Sequence, residues 1–338
     1  MTNPVLSIRP DDQRLRWEGA ISVQQTTDWL QPWRLPVGER SLFPPVTLQE
    51  RAAMPAGVRI VFRSDTRTIA GRIERQPEMS PLDLCCDGQL IATANLADRE
   101  DFRFDDLPSG EKLIELWLPQ FGEFRLRGLE LSAGARIEPY ADHRRRWVTY
   151  GSSITQCRTA RRPTETWPAV VARGQNYHLT CLGFGGQCHL DVMVARLIRD
   201  LPADYLSFCL GINVFGAASL GPRTFQSSII GFVQIVREKH PDTPLAILSP
   251  IMSAPDHEEQ VNAVGFTLPT MRTEVATAVE ALRAHGDRNV HFVDGFRIFG
   301  PNDAHLLADH VHPNADGYLL MGDNFIREVA KPIFGKPE

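Results

Sequence analysis

The strongest constraint on the fold is an alternation of strand-like and helix-like segments that starts at Trp147. Short apolar runs in this half are typical of buried parallel strands, and the runs between them repeat apolar residues at helical spacing. Strands that alternate with helices form right-handed βαβ units, so we expect a doubly wound α/β domain. The predicted strands cover Val148 to Tyr150, Thr180 to Leu182, Tyr205 to Leu210, Leu245 to Leu248 and Val290 to Val293, and the predicted helices cover Ala169 to Arg173, Val192 to Leu201, Phe225 to Lys239, Met271 to Ala284 and Asp316 to Ala330.

Residues 1–140 show a different pattern, which is all-β. Short alternating runs such as Leu15 to Val23 and Phe124 to Leu131 are separated by clusters of Pro, Gly and Asp. Turn signals at this frequency favour an antiparallel sandwich. We therefore expect a β-sandwich domain over 1–140 and the α/β domain over 141–338. Two prolines and an arginine in the stretch Trp29 to Pro36 fit poorly in a central strand, so a loop that reaches towards the α/β domain is one interpretation.

Bulk composition narrows the class of partner and the compartment. The chain has 338 residues and a net charge of -5, which gives no electrostatic reason to expect nucleic acid. No apolar run is long enough to span a bilayer, and charged residues interrupt the first twenty positions, where a signal peptide would need an apolar core. The six cysteines show neither a disulfide framework nor a zinc spacing. We expect a cytoplasmic protein with no nucleic-acid or membrane partner, and homo-oligomerisation stays open.

A serine follows the first strand of the α/β half. The β-branched and aromatic run Trp147 to Tyr150 stops at Gly151, which permits a sharp exit and delivers Ser153 just past the strand end. Ligands of open α/β sheets bind beyond the carboxyl ends of the strands, and a serine there is a candidate nucleophile. By itself the Gly-Ser-Ser sequence also fits ordinary turn chemistry.

A base and a carboxylate for that serine lie near the far end of the chain. A nucleophilic serine needs a base, and the base needs a carboxylate to fix its tautomer. Asp309 and His312 are three residues apart, so one turn of chain can place the carboxylate beside the ring, and Pro313 stiffens the segment. His305, His310 and Asp303 lie nearby, but no helical His-x-x-x-His accompanies them, so we expect no metal.

Two further loops follow predicted strands. The stretch Gly183 to Gln187 has three glycines in four positions, which lets backbone N–H groups converge on an anion. After the next predicted strand, Tyr205 to Leu210, the side chain of Asn213 can donate an amide hydrogen bond into the same space. The alternatives are an ordinary tight βα connection for the glycines and a turn or helix cap for the asparagine.

Four short blocks in this order resemble the SGNH, or GDSL-type, hydrolase family. They contain Ser153 in Gly-Ser-Ser-Ile-Thr, Gly186 in Gly-Phe-Gly-Gly-Gln, Asn213 in Gly-Ile-Asn, and Asp309 with His312. The resemblance implies a catalytic Ser153–His312–Asp309 triad. It also implies an oxyanion hole made by Ser153, Gly186 and Asn213, without a cofactor.

The resemblance covers roughly residues 145–335 and implies a five-stranded, flavodoxin-like sheet, here preceded by a jelly-roll-like sandwich. One departure is Ser152, which stands where the family usually has an acidic residue before the nucleophile. That acid is not the triad carboxylate, so the departure bears on substrate preference and loop packing more than on activity.

The implied reaction leaves the substrate open. Family members with an N-terminal sandwich resemble carbohydrate esterases, so the first hypothesis is a serine-dependent O-acyl esterase that removes small, acetyl-like groups from a sugar or glycoside. The same arrangement is similar to acyltransferases that move a small acyl or aroyl group to a hydroxyl of a polyketide or other secondary metabolite. A third hypothesis is a catalytically dead carbohydrate-binding module. The candidate substrate-binding residues are Trp33, Trp167, Phe184, Gln187, Ile212, Val214 and Phe215.

Overall fold

The computed structural model describes residues 5–335, which form two compact units. The main division falls between His143 and Arg144. Two short segments are exceptions to this division: Ser41–Arg51 belongs to the second unit, and Arg162–Thr164 belongs to the first.

The first unit is a sandwich of two six-stranded antiparallel sheets. One sheet has the order β3-β4-β11-β6-β9 with β1 beside β11, and the other has the order β12-β5-β10-β7-β8 with β2 beside β5. Aliphatic and phenylalanine side chains fill the core, such as Ile60, Leu116 and Leu129. The strands are β1 (Leu6–Ile8), β2 (Arg16–Glu18), β3 (Ser22–Gln25), β4 (Leu30–Trp33), β5 (Arg59–Ser64), β6 (Ile69–Ile73), β7 (Leu82–Cys86), β8 (Gln89–Ala94), β9 (Asp101–Phe104), β10 (Lys112–Trp117), β11 (Leu126–Leu131) and β12 (Ile137–Glu138).

The loop interpretation of the stretch Trp29 to Pro36 is wrong for half of its residues, because Leu30–Trp33 form β4 of this sandwich. The strand pairs with β3 over its whole length but meets β11 only at Leu30, opposite Leu126. A proline lacks the N–H that a ladder on both sides would require. Pro32 is tolerated because β4 has a long ladder on one side only.

The second unit is a five-stranded parallel sheet with helices, as predicted. Its order, β14-β13-β15-β16-β17, is the 2-1-3-4-5 order of flavodoxin-like folds. The strands are β13 (Arg145–Gly151), β14 (Tyr177–Gly183), β15 (Tyr205–Cys209), β16 (Leu245–Leu248) and β17 (Val290–Val293). The α-helices of the chain are α1 (Val46–Ala52), α2 (Ser153–Gln156), α3 (Trp167–Gln175), α4 (Val192–Asp200), α5 (Ile212–Ala217), α6 (Phe225–Arg237), α7 (Pro255–Glu258), α8 (Leu268–Ala284) and α9 (Ala315–Phe325), and short 3₁₀ segments cover Val37–Leu42, Pro163–Glu165, Gly295–Arg297 and Pro301–Leu306.

The last predicted helix, Asp316 to Ala330, is α-helical over its first two thirds only. The α-helix α9 ends at Phe325, and the chain continues as a π-helix over Ile326–Phe334 that contains Pro332. No helix among residues 5–335 is both long and apolar enough to cross a membrane.

The strand order brings the predicted loops together at one edge of the sheet. β13 lies between β14 and β15, and Gly151 at its carboxyl end is in register with Gly183 at the end of β14. The loop after β14 also lies tightly on α2, since a Cβ at Gly183 would come within 2.5 Å of the Gln156 nitrogen. The serine, glycine and asparagine loops therefore leave three adjacent strand ends, where ligands of such sheets bind.

Candidate active site

Ser153 opens the short helix α2 directly after β13. The Ser152 side chain caps this helix by accepting a hydrogen bond from the Ile154 N–H at 3.2 Å, and Ser152 is buried. This cap gives the unusual residue before the nucleophile a structural role. Ser153 is half-buried, and its Oγ lies 2.8 Å from Nε2 of His312. Nucleophile and base are within hydrogen-bond reach.

Asp309 orients the base from the other side of the ring. Its Oδ2 lies 2.8 Å from His312 Nδ1, while its Oδ1 accepts the backbone N–H groups of Val311 and His312 at 2.7 Å each. Burial raises the pKa of Asp309, but these backbone and ring hydrogen bonds outweigh it and hold the pKa below its usual range. The carboxylate is thus ionised at neutral pH and favours the proton on Nδ1, which leaves Nε2 as the acceptor.

The glycine loop after β14 is held by side chains on both sides. Gln156 Oε1 accepts the Gly185 N–H at 2.8 Å, and the Gly186 carbonyl lies 3.0 Å from His189 Nε2 and 2.8 Å from Gln187 Nε2. Gly186 has φ +70°, a conformation that costs a residue with a Cβ more than it costs glycine. The loop conformation therefore depends on this glycine and on its neighbours.

Asn213 is fixed by its oxygen. Its Oδ1 accepts the Cys188 N–H at 3.0 Å, so the amide nitrogen Nδ2 is turned away from that contact. Within residues 5–335, neither Nδ2 nor the backbone N–H groups of Ser153 and Gly186 donate to a protein acceptor. These are the three groups that the family resemblance assigns to an oxyanion hole, and they remain available to an anion.

Replacement of Asn213 by alanine should lower kcat by about 10²–10³, because a donor that acts on the developing oxyanion contributes about that factor. KM should change little, since the neutral ester carbonyl binds the donor weakly. Steady-state kinetics on p-nitrophenyl acetate measure both constants. An unchanged kcat would remove Asn213 from the oxyanion hole.

Cysteines near the site do not compete with Ser153 as nucleophiles. Cys157, Cys181 and Cys188 are buried. Burial raises the pKa of Cys209 to about 12 and raises the pKa values of Cys157 and Cys188 well above their ordinary range. A thiol reacts as its thiolate, so these groups are inert at neutral pH.

The candidate substrate-binding residues fall into separate environments. Trp167 and Ile212 line a small apolar cavity, with about 20 Å³ of space for the centre of a water-sized molecule. Ile154, Pro250 and Met321 also line it. Ile154 directly follows Ser153 in sequence, and Ile212 directly precedes Asn213.

The other candidates do not line that cavity. Phe184, Val214 and Phe215 are buried in the second unit. Gln187 bonds its neighbour's carbonyl, and Trp33 lies in β4 of the first unit, where its Nε1 donates to Gln24 Oε1 at 3.1 Å. For these five residues, direct contact with a substrate stays a prediction.

His305 and His310, the two other histidines near His312 in sequence, form hydrogen bonds within the chain. His305 Nδ1 lies 3.0 Å from the Asn302 carbonyl, and His310 Nδ1 lies 3.1 Å from Asp256. Sequence analysis missed the role of Gln156, because nothing in its spacing announces a contact with a loop that begins after β14. The contact of His189 with the Gly186 carbonyl is likewise not evident from the sequence.

The fold and this arrangement define a serine-dependent ester hydrolase or acyltransferase. Comparison with family models agrees: residues 144–330 match the GDSL-like lipase/acylhydrolase family, and residues 15–127 match the SsfX3 N-terminal domain. The chain belongs to the GDSL-like lipase/acylhydrolase family.

Solved structures extend the comparison over the whole chain. A salicylyl-acyltransferase, SsfX3, from a tetracycline biosynthetic pathway is 37% identical with a TM-score of 0.91, over 97% of this chain and 99% of that one. A GDSL-like lipase from Bacteroides ovatus is 22% identical with a TM-score of 0.80, over 97% and 98%. A family two carbohydrate esterase from Clostridium thermocellum is 14% identical with a TM-score of 0.68, over 94% and 98%. The curated proteins contain no match.

Proposed function

We propose that this protein is a serine O-acyltransferase that moves a small acyl group from an activated ester to a hydroxyl group of a secondary metabolite. The observation that carries the acyl-enzyme is the continuous chain of contacts from Ser153 Oγ to His312 and on to Asp309, with 2.8 Å at each step. Such a chain activates a serine that is otherwise a weak nucleophile.

In the first half-reaction Ser153 Oγ attacks the carbonyl carbon of the donor ester while His312 Nε2 takes the hydroxyl proton. The oxyanion of the tetrahedral intermediate accepts hydrogen bonds from the N–H groups of Ser153 and Gly186 and from Asn213 Nδ2. The intermediate collapses, the bond to the leaving alcohol or thiol breaks, and His312 returns the proton to it. Ser153 is left acylated.

In the second half-reaction an acceptor hydroxyl gives its proton to His312 Nε2 and attacks the acyl carbon. The bond to Ser153 Oγ breaks, and the serine recovers the proton. Water in place of the acceptor gives hydrolysis with the same atoms. The site is therefore able to run both reactions, and the acceptor decides between them.

Similarity favours transfer over the sugar esterase that the sequence placed first. SsfX3, at 37% identity over nearly the full length of both chains, is described as an acyltransferase, and residues 15–127 match its N-terminal domain. The carbohydrate esterase from Clostridium thermocellum is 14% identical and supports the fold alone.

A small acyl group is favoured by the size of the cavity that Ser152 and Ile154, the two chain neighbours of Ser153, help to line; Ser153 itself does not line it. Its space is about what one buried water requires, which corresponds to the methyl end of an acetyl-like group. Its lining is mainly apolar, as the end of such a group would favour.

The proposal is tested by the fate of the acyl group. With p-nitrophenyl acetate as donor, rising concentrations of a hydroxylated aromatic acceptor or of a methyl glycoside should divert acetate from water into an acylated product. The total release of p-nitrophenol measures acyl-enzyme formation, and mass spectrometry of the products measures the partition. We expect the aromatic acceptor to capture most of the acetate.

Each other outcome contradicts part of the proposal. Free acetate at every concentration of both acceptors would identify a hydrolase, and capture by the glycoside alone would move the acceptor to sugars. Ser153→Ala is the matched control, because it must abolish both products if they share one acyl-enzyme.

We further propose that the protein works in a reducing compartment such as the cytoplasm. All six cysteines are free thiols, and five of them are buried. Unpaired cysteines in this number fit a reducing setting better than an oxidising one.

A further inference from the structure

The peptide unit between Gly185 and Gly186 has two functional ends. Its N–H end belongs to Gly186 and is one of the three proposed oxyanion donors. Its C=O end belongs to Gly185 and points the opposite way, because the peptide is trans. Whatever binds that carbonyl therefore acts on the N–H through the same rigid plane.

The group that binds the Gly185 carbonyl is a guanidinium. Arg51 Nε donates to the Gly185 oxygen at 3.3 Å. A Cβ built on Gly185 would lie 3.5 Å from Arg51 Nε and 3.6 Å from its Cδ, so the arginine side chain lies directly against this residue. Arg51 is half-buried, which limits the screening of its charge by water.

Arg51 comes from a part of the sequence that the catalytic family model does not cover. It lies on α1, within the region 15–127 that matches the SsfX3 N-terminal domain. In the structure, however, Ser41–Arg51 belong to the second unit, together with the glycine loop.

We propose that Arg51 is a positioning residue of the oxyanion hole, which holds and polarises the Gly185–Gly186 peptide so that its N–H faces the reacting oxygen. A cation on the carbonyl oxygen increases the positive character of the N–H in the same peptide. It also stabilises the negative charge that forms on the far side of that peptide. Both effects grow in the transition state and are small for the neutral ester, so they act on kcat.

The neighbouring contacts do not replace this one. Gln156 fixes the peptide before Gly185, and His189 and Gln187 fix the peptide after Gly186. Of these four contacts, only that of Arg51 reaches the oxyanion peptide itself and carries a permanent charge. One consequence is that an isolated α/β domain cut out after residue 140 lacks a part of its oxyanion hole.

This inference rests on the proposed acyl-enzyme function, and full-length variants test it. We expect Arg51→Met to lower kcat on p-nitrophenyl acetate about tenfold, a fraction of the effect of deleting a direct donor, with KM within about twofold. Affinity for a phenylboronic acid, which forms a tetrahedral anionic adduct on the serine, should fall by the same factor of about ten. Arg51→Lys, which keeps the charge, should recover part of both losses.

The matched control is Glu50→Gln, which removes one charge from the adjacent exposed position of the same helix and should behave as wild type. All rates are divided by the concentration of active sites titrated with a fluorophosphonate, so that misfolded protein does not lower kcat. A merely structural role would lower the titrated fraction or the melting temperature, with kcat per active site and boronate affinity unchanged, and that result overturns the inference. If Ser153→Ala keeps its turnover, the proposed function fails instead.

Discussion

Replacement of Ser153 by alanine is expected to lower kcat on p-nitrophenyl acetate by about 10⁶, since deletion of a triad nucleophile costs about that factor. The acyl-enzyme cannot form without Oγ, and the oxyanion donors and the binding site alone retain only a small acceleration over water. Intact-protein mass spectrometry after a fluorophosphonate should show one adduct on wild type and none on Ser153→Ala.

Two companion variants make the result specific. Ser227→Ala removes an exposed hydroxyl from α6 and should leave kcat unchanged. His312→Ala should cost about as much as Ser153→Ala, and the double variant should lose no more, because the two residues act as one unit. Turnover by Ser153→Ala within tenfold of wild type would mean that another group is acylated.

The sequence was most informative where local pattern and function coincide. The predicted strand Leu245 to Leu248 is found with those bounds, because a short apolar run is typical of a parallel strand that is buried on both faces. The same holds for the first three blocks: each lies just after a strand, and three adjacent strands bring them to one edge of the sheet, whereas Asp309 and His312 lie beyond two 3₁₀ segments that follow β17. The contact between Ser153 and His312, which are 159 positions apart, could be predicted only through the resemblance to a known family.

The sequence could not predict that Ser41–Arg51 belong to the second unit and Arg162–Thr164 to the first. The residues that these segments contact are distant in sequence, and no sequence pattern links them. Thr164 belongs to the first unit, where the Asp83 carboxylate accepts its N–H at 3.1 Å and its hydroxyl at 2.6 Å. Asp83 is fully buried and is also bonded by the Thr93 hydroxyl at 2.6 Å. A single aspartate in a strand gives no sign that its partner lies 81 positions away. Arg51 and Gly185 are 134 positions apart and are equally hidden.

Asparagine in place of Asp309 is expected to lower kcat by about 10³. The Asp309 Oδ1 already accepts two backbone N–H groups, so an asparagine oxygen would keep that position and turn its NH₂ group towards His312 Nδ1. The ring would then carry its proton on Nε2, the atom that must accept the serine proton. The Asp309 side chain is 53% exposed, so water can still stabilise the imidazolium in part. We therefore expect a smaller loss of kcat than the factor of about 10⁴ that the same substitution causes at a buried triad aspartate.

The dependence of stability on pH separates this tautomer effect from a loss of folding. Because the pKa of Asp309 is lowered in the folded chain, its carboxylate stabilises the fold above the pKa of an unfolded aspartate, and the contribution is lost as the pH falls through the lowered pKa. Titration of Asp309 itself should therefore add no pH dependence to the difference in melting temperature between wild type and Asp309→Asn from about pH 5 to pH 8, where activity is compared. Asp323→Asn, on an exposed carboxylate of α9, is the control and should match wild type in both measurements. If Asp309→Asn retained kcat within tenfold while its melting temperature fell, Asp309 would support the loop that carries His312 and would not set the tautomer of the ring.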